Sequence, residues 1–119
     1  MNPIAYDDTE KFTPPITSGT VIKVYDGDTI TIASVMPWSK SPIYRFSVRL
    51  RDIDCSEINS CDPNAVIARD TVYKLVFGKT VTLDRVDTDK YGRILADVYC
   101  DGVNLSQMLL EQGLTKPYN

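Results

Sequence analysis

Three carboxylates and two arginines stand out in this chain for the chemistry they could perform together. Asp28 lies in VYDGDTITI, Arg49, Asp54 and Glu57 lie in VRLRDIDCSE, and Arg93 lies in TDKYGR. Carboxylate oxygens can hold a hard cation and direct a water molecule. Arginine's planar fork donates two parallel hydrogen bonds to a phosphate, a geometry that lysine does not match. Together the five form the set that single-metal hydrolysis of a phosphodiester requires. The chain has no histidine, which excludes imidazole acid–base catalysis and Cys/His zinc sites. Its cysteines, Cys55, Cys61 and Cys100, are odd in number and lack metal-ligand spacing. They read as free thiols of a reducing compartment, with a Cys55–Cys61 bridge across one loop as the alternative.

Four of the five also have a plainer reading. Asp28 could serve only as a turn residue after Gly27, and Glu57 as a solvated loop acid. Arg49 could be an ordinary surface or ion-paired arginine, and Arg93 a structural tie between its charged loop and Asp89. Trp38, in the Pro-flanked loop MPWSKSP, reads as a packing anchor rather than a platform for base stacking.

The elements that must position these residues follow from periodicity. Thr20 to Val35 alternates like a strand on both sides of Asp26-Gly27-Asp28, a strong hairpin signal. Tyr44, Phe46, Val48 and Leu50 then share one face, predicted to enter a core. Arg45, Ser47, Arg49 and Arg51 share the other, which puts Arg49 on an outer face. The alternation breaks at Asp52-Ile53-Asp54, where the strand should end. Asp62-Pro63 is a helix start, Ala65, Ala68, Val72, Leu75 and Val76 follow helical spacing, and Gly78 is the stop. Thr80–Leu83 and Ile94–Tyr99 read as strands flanking a charged loop, Asp84–Arg93. A final short helix is expected from Asn104 to Gln112, with Leu105, Met108 and Leu109 inward. Five short strands with a helix after the third predict a mainly β fold with helices, a closed Greek-key barrel of the OB type.

Length and composition bound the rest. At 119 residues the chain suits one domain, read as an arm over residues 1–19 and a barrel domain over 20–119. Net charge is −3, from 13 basic and 16 acidic residues, which argues against coating nucleic acid through bulk positive charge. Asp28, Asp54 and Glu57 account for that excess, and a bound divalent cation would offset most of it locally. No apolar run is long enough to span a membrane, and none near the N-terminus resembles a secretory leader, so a cytoplasmic monomer is the default expectation.

Four stretches in order, VIKVYDGDTITI, VRLRDIDCSE, TDKYGRILADVYCDG and QGLTKPY, make the chain resemble the staphylococcal nuclease (thermonuclease) family over about residues 20 to 118. The resemblance implies an OB-fold enzyme that uses calcium to hydrolyse DNA and RNA, leaving 3′-phosphate products. It implies metal ligands at Asp28, Asp54 and the carbonyl of Cys55. Glu57 would be the general base or orient the attacking water, Arg49 and Arg93 would bind the scissile phosphate, and Lys90 and Tyr91 would contact a neighbouring one. The chain departs from the pattern at Cys55, where Thr is usual, and at Ser56, where Pro is usual and whose replacement should loosen the loop. The segment from Glu57 to Pro63 is short, and the chain ends soon after QGLTKPY, with Tyr118 near an expected aromatic position. A non-catalytic OB barrel that binds nucleic acid or protein is the second reading, since fold alone does not fix function.

Overall fold

The computed structural model describes residues 3–118. Strands β1 (Ser18–Asp26) and β2 (Thr29–Val35) form the expected hairpin, and β3 (Ile43–Leu50) continues it as a meander. A short β4 (Ile53–Asp54) precedes helix α1 (Pro63–Val76), after which come β5 (Thr80–Thr88) and β6 (Ile94–Cys100). A short β7 (Val103–Asn104), helix α2 (Leu105–Glu111) and β8 (Lys116–Pro117) complete the chain. β5 pairs antiparallel with both β1 and β6, and β6 pairs in parallel with β3, closing a five-strand mixed barrel. This is the OB-type arrangement, with α1 inserted after the third barrel strand.

Alternation along the strands fills the barrel with Ile30, Ile32, Val48, Leu50, Val81 and Val98, all nearly inaccessible to solvent. Asp62 caps α1 by accepting the Asn64 N–H at 2.9 Å, Pro63 occupies its first position, and Ala65, Ala68, Val72 and Val76 face the core. Asn104 caps α2, whose Leu105, Met108 and Leu109 are buried as expected. No helix among the described residues is long and apolar enough to cross a membrane.

Several expectations are corrected. The charged loop is shorter than Asp84–Arg93, because β5 continues to Thr88 through a bulge between Asp84 and Asp87. Polar side chains hid this continuation, whose backbone pairing with β6 does not need an apolar pattern. Tyr44 and Leu75 are substantially exposed, because β3 projects beyond the core at its start and α1 buries a narrower stripe. Trp38 is 53% exposed and is no packing anchor. All three cysteines are free: Cys55 and Cys100 are buried and Cys61 is exposed.

Barrel closure brings distant sequence together. In the parallel β3–β6 pair Arg49 lies opposite Leu95, so the residue two before it, Arg93, is carried to the Arg49 edge. The hairpin turn is set from the other side. A Cβ on Gly27 would lie 2.7 Å from the Ala68 Cβ of α1 and 3.0 Å from the Cys55 Sγ, so only glycine lets turn, helix and loop approach this closely. Replacing Gly27 with Ala should therefore destabilise the fold by about 1–3 kcal/mol, the usual cost of overpacking. Urea unfolding monitored by circular dichroism checks this, and an unchanged midpoint would contradict the packing argument.

Candidate active site

Asp28 is the buried centre of the site. It sits in the β1–β2 turn at 5% exposure, and its backbone carbonyl accepts the Leu50 N–H at 2.8 Å, locking the turn to the end of β3. Its Oδ2 accepts the Cys55 N–H at 2.8 Å and lies 3.3 Å from Arg49 Nη1, while its Oδ1 accepts the Thr29 hydroxyl at 3.0 Å. The second carboxylate, Asp54, approaches the same guanidinium from β4, with Oδ1 3.4 Å from Arg49 Nη2. Arg49 is thus not on an open outer face. Its side chain is 14% exposed, bridges both carboxylates, and donates from Nη1 to the Leu50 carbonyl at 3.0 Å.

The loop from Cys55 to Asp62 is tied at several points. Asp26, also buried, accepts the Ile58 N–H on Oδ1 at 2.8 Å, and Ser60 N–H reaches the Glu57 carbonyl at 2.9 Å. The Ser56 hydroxyl donates to Asp62 at 2.6 Å, so serine at this position binds the loop to the α1 cap rather than loosening it. That bond, with the Asn64 N–H, holds the Asp62 carboxyl below its ordinary pKa. Glu57 itself is exposed, and its carboxylate has no hydrogen-bond or ion-pair partner among the described residues. Burial pushes the Cys55 thiol up to about 11, so its side chain is an inert packing group, whereas its backbone lies beside Asp28.

Arg93 approaches from the β5–β6 loop, which Asp89 organises. Asp89 Oδ1 accepts the N–H groups of Tyr91 and Arg93 at 2.9 Å each, and its Oδ2 receives Arg93 Nε at 2.7 Å. Gly92 makes the return possible at φ +82°. Burial works to raise the Asp89 carboxyl, but these three donors outweigh it and hold the pKa low. The structural tie from Arg93 to Asp89 is therefore present, and it engages only Nε; the terminal nitrogens have no partner among the described residues. Lys90 Nζ and Arg93 Cζ lie 5.2 and 5.4 Å from the centre of the Tyr91 ring, within cation–π range.

Arg49, Lys90, Tyr91 and Arg93 line one cleft of about 590 Å³, along with Arg51 and Tyr118. Tyr118 is held there by β8, which pairs with β4, and by its own N–H on the Asp52 carbonyl at 2.9 Å. Asp28 and Asp54 each face Arg49, the Cys55 N–H bonds Asp28, and the exposed Glu57 lies on the adjoining loop. Among the described residues no three acidic, cysteine or histidine side chains gather closely enough to hold a metal by themselves.

With this geometry established, the family described as staphylococcal nuclease homologue matches residues 47–119. The chain belongs to the staphylococcal nuclease family. It is 36% identical over 74 residues to a probable staphylococcal-like nuclease of Oryza sativa subsp. japonica, covering 62% of this chain and 22% of that protein. To an uncharacterized endonuclease of Escherichia coli it is 34% identical over 101 residues, covering 84% of this chain and 60% of the other. A staphylococcal-like nuclease of Arabidopsis thaliana is 35% identical over 74 residues, 62% of this chain and 22% of that one. The chain thus spans about a fifth of the plant relatives and 60% of the bacterial one.

Two acids that support the site in this family member were missed or undervalued from sequence. Asp26 looks from sequence like part of a turn, although DGD places two acids at one hairpin tip. Asp89 suggests from sequence only a partner for Arg93, although it anchors the loop through Tyr91 and Arg93. Burial raises the Asp26 pKa, as do the nearby charges of Asp28 and Glu57, against the opposing Ile58 N–H. A carboxyl whose folded pKa exceeds its unfolded value stabilises the fold fully below the unfolded value and loses that contribution as pH rises through the folded one. Asp26→Asn keeps an oxygen for the Ile58 N–H but cannot ionise. In cation-free buffer it should match the wild type in stability below about pH 3.8, near the unfolded carboxyl. It should become the more stable of the two at neutral pH. Urea titrations stepped through pH decide the point, and a wild type that gains on the variant as pH rises would refute it.

Proposed function

We propose that the chain is a calcium-dependent nuclease that hydrolyses phosphodiester bonds of DNA and RNA by attack of water, leaving 3′-phosphate ends. The observation that carries this reading is the double membership of Arg49. Its guanidinium is shared by the carboxylates of Asp28 and Asp54, and the same side chain lines the cleft with Lys90, Tyr91 and Arg93. A cation-binding group and a phosphate-binding group therefore meet at one residue. Membership of the staphylococcal nuclease family supports the same reading.

The donor chemistry of the acid pair suits a hard cation, since both are carboxylates and both face one positive group, at 3.3 and 3.4 Å. Asp28, Asp54 and the Cys55 carbonyl would hold the ion, which on binding supplies charge stabilisation for phosphoryl oxygens and helps ionise water. Within this reading Arg49 and Arg93 grip the scissile phosphate and neutralise the charge that develops on it. Glu57, solvated and free of protein partners among the described residues, accepts the proton of the attacking water. Lys90 and Tyr91 hold the next phosphate.

Arg93→Ala and Glu57→Gln should each lower hydrolysis of single-stranded DNA and of RNA by about 10²–10³, the usual effect of removing one preorganised group. A chelator should abolish activity, and calcium should restore it. Activity indifferent to both substitutions would overturn the assignment. Tight binding without hydrolysis in calcium, magnesium or manganese would mark the chain as a non-catalytic module instead.

A further inference from the structure

Arg51 is a cleft residue to which neither the motifs nor the roles above give a function. It follows β3, two positions after Arg49, and its N–H continues the ladder to β6 by donating to the Ala96 carbonyl at 3.0 Å. Arg51 begins the turn that ends the strand, and its side chain lines the same cleft as Arg49. The backbone is fixed again at its carbonyl, which accepts the Ser106 hydroxyl at 2.8 Å. Its Nε donates to the Arg85 carbonyl at 2.7 Å, which aims the side chain. No hydrogen bond or ion pair among the described residues engages its terminal nitrogens; the carboxylate close enough to feel its charge is Asp87, which is itself paired with Lys11 at 2.7 Å.

The local charge favours an anion. Four basic side chains, Arg49, Arg51, Lys90 and Arg93, line the cleft against two carboxylates, Asp52 and Asp89. Asp52 is engaged by Arg85, which lies outside the lining, at 2.7 Å, and Asp89 is engaged by Arg93, one of the four, at 2.7 Å through Nε alone. A purely structural arginine would be accounted for by its Nε contact, but that leaves a pair of terminal donors with no hydrogen-bond partner among the described residues, in the cleft that Arg49 also lines.

We infer that Arg51 binds a backbone phosphate adjacent to the one held by Arg49 and Arg93, extending the substrate track by one nucleotide. This rests on the nuclease reading, and the residue acts on binding rather than on the chemical step. Such a contact serves only a substrate with more than one phosphate. It also adds one neutralised phosphate to the salt dependence of binding, about 0.7 in the slope of log K against log salt for a single strand.

The test uses the full chain with Arg51→Gln and Arg51→Lys, each first checked for folding by urea unfolding. Binding of a fluorescent oligothymidylate is titrated in chelator across salt concentrations, and hydrolysis is measured in calcium. For the oligonucleotide, Arg51→Gln should raise KM about tenfold with kcat unchanged, as expected for losing one charge-assisted hydrogen bond. Its salt slope should fall by about 0.7, and Arg51→Lys should restore the slope. For a dinucleoside monophosphate, with a single phosphodiester, KM should not change. A folded Arg51→Gln with wild-type slope and KM on the oligonucleotide overturns the inference, as does an equal loss on both substrates. A wild type that neither binds nor cleaves the oligonucleotide refutes the nuclease reading itself.

Discussion

The site depends on where the Asp28 carboxylate is held. Its position beyond the β1–β2 turn is buried, and one oxygen receives the Cys55 N–H while facing Arg49. Burying a carboxylate is costly unless it is hydrogen-bonded and paired, so these contacts are conditions for the turn to exist rather than additions to it. They join three segments that are remote in sequence: the hairpin tip, the end of β3 and the loop after β4. Gly27 completes the arrangement by letting α1 press against the same turn. Once these pieces are joined, the backbone that carries Asp54 is paired to β8, and the loop that carries Glu57 is tied to Asp26 through the Ile58 N–H.

Charge is partitioned by the fold. The chain as a whole is acidic, yet the cleft is lined mainly by basic side chains, and its two acids are neutralised by guanidinium groups. In a recess bounded by protein, field lines between such groups are screened less than on an open surface. A net charge of −3 therefore says little about what the cleft attracts. The acids facing Arg49 set negative charge directly against the basic lining of the cleft.

Much of the fold was legible because it follows local rules. The DG hairpin, the alternating β3, the Asp62-Pro63 start of α1 and the Asn104 cap of α2 each carry their instruction within a few residues. The extension of β5 to Thr88 was not legible, because Asp84, Arg85 and Asp87 look like loop residues and are held in the strand by pairing with β6. β4 and β8 were also missed: each is two residues long and exists only through the other. Tyr44 and Trp38 misled for a related reason, since aromatic character predicts burial only where a core extends far enough to cover it.

For the site, residue types and order were enough to nominate Asp28, Arg49, Asp54, Glu57 and Arg93, because phosphate and hard cations each demand a narrow chemistry. Sequence could not tell which of those groups touch. Tertiary structure decided that Arg49 is shared between two carboxylates, that Asp26 and Asp89 support the loops, and that Arg51 opens into the same cleft. The reason is physical. Residue chemistry is a local property, whereas proximity here comes from the parallel closure of β3 on β6, a contact between segments that no local pattern encodes.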